Sequence, residues 1–287
     1  MPEMPEVESL CRFLTERCVG KAYARVELAS FTALKTHEIP LTALAGREID
    51  EVDRRGKFLG LSAGGLWLAF HLARAGWLRW KDKVAATPAR PGKGPLALRV
   101  ALADDTGFEL TEAGTQRKLA IHLVRDLAEV PQIATLGPDP LAEEFTPEVF
   151  DAILDAAGRA QLKGVLRDQR TIAGIGNAYS DEILHAARLS PFKPASGLSV
   201  EQRATLYAAV RTELTDAITR STGLAAKDLK GEKKSGLRVH GRTGEACSVC
   251  GDTIAQVSFA DSSLQYCPTC QTGGKPLADR RLSKLLK

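Results

Sequence analysis

Two pairs of cysteines near the C-terminus constrain the fold of this chain more than any other feature. The pairs, with sixteen residues between them, are Cys247 with Cys250 and Cys267 with Cys270. Four thiolates complete the tetrahedral shell of zinc, so the spacing predicts one structural zinc ion in a closed site. The residues between the pairs read as two short strands, 254–259 and 264–266. Such a zinc-stapled hairpin serves either as a DNA-binding finger or as structural support alone, and the spacing leaves both open.

Length and charge set only broad limits. A chain of 287 residues corresponds to one large domain or two ordinary ones, and 44% apolar residues are enough for a real core. The 39 basic and 35 acidic residues give a charge of +4, a mild indication of a polyanionic partner. We find neither a signal peptide nor an apolar stretch of membrane-spanning length. We therefore expect a cytoplasmic protein with no membrane partner.

The first half of the chain begins with one helix and continues with strands. Residues 5–19 carry apolar side chains at helical spacing, and Gly20 ends this helix. Short apolar and alternating runs separated by turns, between Tyr23 and Leu110, predict an antiparallel sandwich.

The second half has helical patterns after a linker at Leu136–Pro140, which is rich in glycine and proline. Helices are predicted at 147–157, 159–168, 177–187 and 200–220. The fold class is therefore α+β: an N-terminal helix and antiparallel β-sandwich, then a helical domain with a C-terminal four-cysteine zinc finger. We predict domains at 1–135, 136–240 and 241–287. The basic stretch Lys227–Arg242 reads as a solvated linker.

A second motif is the glycine-rich turn Gly174–Asn177. Its glycines permit close backbone approach, and Asn177 is a good N-cap for the helix that follows. N–H groups at that helix start favour a phosphate, and Lys163 on the preceding helix could add a point charge. An ordinary connection between two helices explains the same residues equally well.

A third motif is the pair Pro2-Glu3 at the start of the chain. If Met1 is removed, Pro2 becomes a free secondary amine with a pKa of roughly 7.7–8.0, and such an amine can attack a sugar carbon to form an iminium. Glu6 shares a helical face with Glu3 beside this amine. The alternative is a proline that merely opens a helix at its first position.

Together these stretches resemble the formamidopyrimidine-DNA glycosylase/endonuclease VIII family. The resemblance follows the family order over essentially the whole chain. It is carried by Met1–Glu8, Arg54–Lys57, His71-Leu72 with Gly76–Arg79, Gly174–Tyr179, Gly241–Glu245 and the finger ending Tyr266–Gln271. It implies a helix–two-turn–helix in the second domain. It also implies a DNA glycosylase with abasic-site lyase activity, acting on double-stranded DNA that contains a damaged base or an abasic site. Such an enzyme is expected to be a monomer that is nucleoid-associated when on DNA.

The resemblance also implies roles for individual residues. Pro2 would be the nucleophile at C1′ of the damaged nucleotide, Glu3 would assist opening of the sugar ring, and Glu6 would help to position it. Lys57 and Asn177 would bind phosphates beside the lesion, although Lys57 by itself reads as a solvated strand residue. The base must leave the stack before an amine can reach C1′.

Three positions depart from the family pattern. Ser262 stands where the finger usually has an arginine, and a hydroxyl does not match a forked cation at a phosphate. Arg74 stands where a methionine usually fills the gap left by the flipped base, in His-Leu-Ala-Arg instead of His-Leu-Gly-Met. Arg117 would face the orphaned base, with Lys118 or Leu119 as the wedge.

We therefore expect excision of oxidised bases and strand cleavage by β-elimination, whereas the loss of the finger arginine puts δ-elimination in doubt. The short segment Ser221–Val239 leaves a reduced cover over the lesion and favours oxidised pyrimidines. The alternatives are a paralogue that binds damaged DNA or abasic sites with weak or no catalysis, and a zinc-stabilised interaction module. The second leaves the N-terminus unexplained.

Overall fold

The fold is organised as two units in a computed structural model that describes residues 1–92, 94–114, 116–260 and 262–278. One unit consists of Met1–Leu136 with Ser221–Gly231, and the other of Gly137–Arg220 with Glu232–Lys287. Within the described residues, we find no helix with the length and apolar character needed to cross a membrane.

The first unit begins with helix α1, Met4–Cys18. Pro5 lies in its first turn, where proline costs no hydrogen bond, and Glu3 is its N-cap. The predicted apolar face is buried: Leu10, Leu14 and Cys18 are each 0% exposed. Burial raises the pKa of Cys18 to about 12, which agrees with a packing role for this thiol.

Behind α1 lies an antiparallel sandwich of two four-stranded sheets, with strand orders β1-β6-β7-β5 and β2-β3-β4-β8. The strands are β1 Tyr23–Leu28, β2 Glu51–Arg55, β3 Phe58–Ala63, β4 Leu66–His71, β5 Gly76–Lys81, β6 Leu96–Leu102, β7 Gly107–Glu112 and β8 Ala120–Val124. Their inward side chains form one apolar cluster with α1. The predicted helix and sandwich are confirmed.

Several elements differ from the sequence predictions, and two of them show why. Strand β2 was not predicted because only Val52 of its five residues is buried; its pairing with β3 forms it. The supposed linker after residue 227 contains helix α7, Leu229–Gly236. Leu229 is 0% exposed and belongs to the core of the first unit, so tertiary packing orders a segment that looks solvated.

The second unit is helical and ends in the cysteine module. Its helices are α3 Pro147–Ala157, α4 Leu162–Arg167, α5 Asn177–Ala186, α6 Val200–Ser221 and α8 Pro268–Thr272, after a short α2, Pro131–Ala134, that belongs to the first unit. Strands β9 Ala255–Ser258 and β10 Ser263–Tyr266 form the predicted hairpin between the cysteine pairs. Phe145 and Phe150 pack on Tyr207, with ring centroids 5.8 and 5.9 Å from it.

Candidate functional site

Three loops that connect sandwich strands lie at the same end of the first unit. Phe58 pairs with His71, so the β2–β3 loop at Lys57 lies beside the end of β4. His71 in turn pairs with Ala120, and Gly76 pairs with Glu112. The β4–β5 turn, residues 72–75, and the described part of the β7–β8 loop, residues 113–114 and 116–119, therefore begin beside each other at this end of the two sheets.

The start of α1 lies at this same end. Cys11 Sγ lies 3.5 Å from the carbonyl oxygen of Val52, and Arg54 Nε donates to Glu8 at 2.7 Å. The residues of α1 closer to its N-terminus therefore lie beside the residues of β2 that are closer to Lys57. The antiparallel register thus brings the buried Pro2, Lys57 and the two neighbouring loops to one end of the sandwich.

Glu3 and Glu6 are fixed by the way the helix begins. They form a reciprocal capping box, in which the backbone N–H of Glu3 donates to Glu6 Oε2 at 2.7 Å. Both carboxylates are only 2% exposed. The predicted pair thus lies directly behind Pro2, held by backbone hydrogen bonds.

Lys57 and His71 lie close together at this end, and they provide a cation and a neutral imidazole. Lys57, 8% exposed, is the second residue of a two-residue hairpin loop whose first residue, Gly56, has φ of +57°. Burial, then the charges of Lys57 and His122, lower the pKa of His71 to about 4. Its Nδ1 accepts from the backbone N–H of Ala73 at 3.2 Å, which fits a neutral ring. No separate role for His71 is predicted from the sequence.

The two predicted DNA-facing arginines occupy the neighbouring loops. Arg74 is exposed in the β4–β5 turn next to Ala73, which has φ of +52° in the region that favours glycine. Arg117 is exposed and donates to the carbonyl oxygen of Gly94 at 2.9 Å. Leu119, however, is 2% exposed within the core, so it does not serve as a wedge.

In the second unit, Lys163 holds the start of α5. Its ammonium lies 2.6 Å from Asp181 Oδ1, and it donates to Ser180 Oγ at 2.9 Å and to the carbonyl oxygen of Asn177 at 3.1 Å. Lys163 is 5% exposed and Asp181 is 0% exposed. This geometry gives the ammonium a positioning role, in contrast to the surface phosphate contact expected from the sequence.

Asn177 links the glycine-rich turn to the finger. Gly176 is the N-cap of α5 and Asn177 is its first residue, so the N-cap lies one position earlier than predicted. Asn177 Nδ2 donates to the carbonyl oxygen of Ser263 on β10 at 2.8 Å. One of its two amide hydrogens is therefore committed to the finger, and the other remains for a ligand.

The four cysteines form the predicted metal site. Their sulfur atoms all lie within 4.8 Å of one another, and Cys250 Sγ lies 3.3 Å from Cys267 Sγ. Four thiolates at about 2.3 Å from zinc are separated by about 3.8 Å in a tetrahedron, so the cluster fits one structural zinc ion. His185 of α5 places Nε2 3.3 Å from Cys247 Sγ, a support that the cysteine spacing did not indicate.

Two consecutive acidic residues of α5, also missed by sequence reasoning, hold the segment before the finger. Glu182 accepts from the backbone N–H groups of residues 238–240, at 2.7 to 3.0 Å. Asp181 Oδ2 lies 2.7 Å from His240 Nδ1. Ser262 directly precedes β10, and its carbonyl oxygen accepts from the backbone N–H of Phe259 at 2.8 Å.

Family models match three consecutive parts of the chain. Residues 1–121 match the formamidopyrimidine-DNA glycosylase N-terminal domain, residues 136–228 match the glycosylase helix–two-turn–helix domain, and residues 244–273 match a zinc finger found in formamidopyrimidine-DNA glycosylase and isoleucyl-tRNA synthetase. These matches cover both units and the cysteine cluster.

Similar proteins match over half or nearly all of the chain. A formamidopyrimidine-DNA glycosylase of Symbiobacterium thermophilum is 36% identical over 98% of this chain and 93% of its own. An uncharacterized glycosylase-like protein of Mycobacterium tuberculosis is 57% identical over 56% of this chain and 100% of its own. The structure of the Thermus thermophilus enzyme has a TM-score of 0.79 at 32% identity, covering 96% and 100% of the two chains.

A Lactococcus lactis homologue bound to DNA containing an abasic site has a TM-score of 0.81 at 28% identity, covering 94% and 99% of the two chains. The sequence relationship extends over the sandwich with its N-terminal proline, the helix–two-turn–helix and the four-cysteine finger. The chain belongs to the formamidopyrimidine-DNA glycosylase family of DNA repair enzymes, which are glycosylases with lyase activity at abasic sites.

Proposed function

We propose that this protein removes oxidised bases, with a preference for oxidised pyrimidines, from double-stranded DNA and then cleaves the abasic strand by β-elimination through Pro2. The observation that carries the proposal is the gathering of Pro2, Glu3 and Lys57 at one end of the sandwich. A proline that only opened a helix would need neither a buried carboxylate behind it nor a buried lysine from another loop.

The proposed reaction begins after removal of Met1. The nitrogen of Pro2 attacks C1′ of the flipped nucleotide and loses its proton, and the damaged base leaves with the electrons of the glycosidic bond and takes up that proton. The sugar ring then opens: the C1′–O4′ bond breaks, O4′ receives a proton from Glu3, and the nitrogen lone pair forms the iminium.

The iminium makes the strand cleavage possible because it acidifies the proton at C2′. Loss of that proton supplies the electrons that expel the phosphate at C3′, and water then releases the sugar from Pro2. Lys57 offers a cation for the phosphate beside the lesion. Glu6 accepts a hydrogen bond from the backbone N–H of Glu3 and so keeps the Glu3 carboxylate beside the Pro2 amine.

The expected lesion class follows from the departures from the family pattern. The segment Ser221–Val239 is short, which favours a small oxidised base over a covered purine. Ser262 supplies no guanidinium to the finger, so the proposed cleavage stops after β-elimination. Arg74 fills the position of the usual methionine and provides a planar cation that can stack in the gap.

Borohydride trapping tests this proposal directly. The protein is incubated with duplexes that contain an oxidised pyrimidine or an abasic site, and borohydride then reduces any iminium to a stable adduct. We expect an adduct on the peptide that begins with Pro2, in protein whose intact mass lacks Met1. An adduct on a lysine, or none with either substrate, contradicts the proposed nucleophile.

Matched variants separate chemistry from binding. Pro2→Gly keeps a terminal amine but loses the secondary amine, so trapping should fall much more than affinity for the abasic duplex. Glu3→Gln keeps the size of the side chain and removes its proton, so it should slow ring opening. Arg12→Gln, on the exposed face of α1, serves as the control that changes neither.

A second candidate is a paralogue that binds damaged DNA with weak or no catalysis. It is favoured by Ser262 and Arg74, which replace two residues of the usual machinery. Tight binding to the abasic duplex without any adduct, in protein that lacks Met1, would support this candidate and exclude the enzyme.

A further inference from the structure

A cavity of about 610 Å³ opens in the first unit at the C-terminal half of α1, away from the proposed catalytic end. It is lined by α1, by β5 and by the segment that contains Ala226 and Lys230. Phe13 and Arg17 lie ten and fourteen residues beyond Glu3, which places them roughly 15–20 Å along the helix axis. The cavity is therefore distinct from the end of the sandwich that holds Pro2.

The lining combines cations with aromatic faces. The Arg17 guanidinium lies 4.7 Å from the ring centroid of Phe13 and 5.4 Å from that of Trp80, and these two rings meet edge to face at 5.7 Å. Lys230 Nζ lies 4.5 Å from the ring centroid of Trp77. Two of the three tryptophans of the chain thus line one cavity, each beside a cation.

The cavity is positively charged. Its basic side chains are Arg17, Arg79, Lys81, Lys227 and Lys230, and its one acidic side chain is Asp82. Asp82 accepts from Trp80 Nε1 at 3.1 Å, and Lys81 lies 3.5 Å from Glu109. Among the described residues, Arg17, Arg79, Lys227 and Lys230 form no ion pair with a carboxylate. Such a concentration of like charge favours an anionic ligand.

The segment before α7 is held in the cavity wall by a hydrogen bond to β5 and by the burial of its side chains in the core. Trp77 Nε1 donates to the carbonyl oxygen of Ala226 at 3.0 Å, which attaches the segment before α7 to β5. Ala226 and Leu229 are buried in the core at 2% and 0% exposure. Burial and the charge of Arg79 lower the pKa of Lys230, in agreement with a confined position.

We propose that this cavity binds a nucleotide, with its phosphate on the cations and its base against the aromatic side chains and the stacked guanidinium. The volume lies within the range of small-ligand sites. Positive charge interleaved with aromatic faces is the combination that holds unpaired nucleotides without reading their sequence. The ligand is either a free nucleotide or a nucleotide of an unpaired strand, because both present a phosphate and an accessible base.

Tryptophan fluorescence tests the site, since Trp77 and Trp80 lie in it and Trp67 packs elsewhere. The full-length protein is titrated with dAMP, with a thymidine tetranucleotide and with inorganic phosphate. We expect saturable quenching by both nucleotides. Tighter binding of the tetranucleotide assigns the site to an unpaired strand, and equal binding assigns it to a free nucleotide.

Variants give the decisive comparison. Arg17→Ala should weaken nucleotide binding about tenfold or more, because a charged hydrogen bond and a stacking surface are both lost. Arg125→Ala removes an equally exposed arginine of the same unit outside the cavity and should leave binding unchanged. Circular dichroism checks that both variants are folded. Pro2→Gly should bind nucleotide like the parent protein, so failure of the proposed catalysis leaves this test intact.

Three results would overturn the proposal: no saturable quenching by either nucleotide, equal binding by the parent and Arg17→Ala proteins, or binding of inorganic phosphate as tight as that of dAMP. The last result would mean that the aromatic side chains contribute nothing to recognition, and the nucleotide assignment would then be wrong.

Discussion

Replacing Lys163 by methionine should destabilise the helical unit, because the ammonium is one partner of a buried ion pair. Methionine keeps the length of the side chain while removing the charge at 2.6 Å from Asp181 Oδ1. Breaking a buried pair by removing one partner costs about 3–5 kcal/mol. His240 and Gln265 still face the other oxygen of Asp181, so we expect the lower end, about 3 kcal/mol.

Calorimetry measures the loss of stability, and DNA binding measures whether Lys163 contacts phosphate. A loss of about 3 kcal/mol lowers a melting temperature by roughly 6–12 °C for units of this size. Lys234→Met, which removes an exposed lysine of the same unit, should change stability by less than about 0.5 kcal/mol. Adding Asp181→Asn to Lys163→Met should restore part of the loss, since the stranded charge is then removed.

The salt dependence of DNA binding provides the refutation. A lysine that contacts phosphate lowers the slope of log affinity against log salt by about one when it is removed. If Lys163→Met lowers that slope and leaves the melting temperature within 1 °C or so of the parent, which corresponds to less than about 0.5 kcal/mol, the positioning role is wrong. The phosphate contact predicted from the sequence would then be correct.

Three further predictions concern acid stability, backbone strain and metal. The pKa of His71 is about 4 when folded and about 6.5 when unfolded, so the unfolded chain takes up the proton first and stability falls as pH drops from about 6.5 to 4, by about 3 kcal/mol. Urea unfolding across this range should show a larger loss in the parent than in His71→Phe. Ala73→Gly should raise stability by up to about 1 kcal/mol because φ is +52°, whereas Ala75→Gly, without that geometry, should lower it. Cys250→Ser should lower zinc content below one ion per chain by elemental analysis and weaken DNA binding; undiminished binding in zinc-free protein would contradict a role for the finger there.

The elements that the sequence predicted are those with a strong local pattern. Helix α1 was expected over 5–19 and is found at Met4–Cys18, because its apolar residues recur at helical spacing and proline begins it. Strand β2 and helix α7 carry many charges and few buried side chains. Their order comes from pairing with β3 and from the burial of Leu229, which no local pattern reveals.

The candidate site likewise contains residues that the local sequence identifies and residues whose role only the structure shows. Pro2 and the cysteines stand out because few other arrangements explain a proline after the initiator methionine or paired thiols at this spacing. Lys163 was assigned to DNA from its place before a glycine-rich turn, and the structure shows its charge turned onto Asp181 instead. Nothing in the local sequence distinguishes a lysine that reaches solvent from one that meets a buried carboxylate eighteen residues later.

Two of the departures from the family pattern, at Ser262 and Arg74, together leave the number of cations unchanged while moving one of them. The finger has Ser262 where a guanidinium is usual, and the β4–β5 turn has Arg74 where an uncharged methionine is usual. Because nonspecific affinity depends on how many phosphates are neutralised, this exchange should preserve the overall salt dependence of binding. Chemistry depends instead on where a cation stands, since only a cation next to the reacting phosphate stabilises the charge that develops there. Full affinity together with cleavage that ends at β-elimination is therefore the behaviour we expect from this chain.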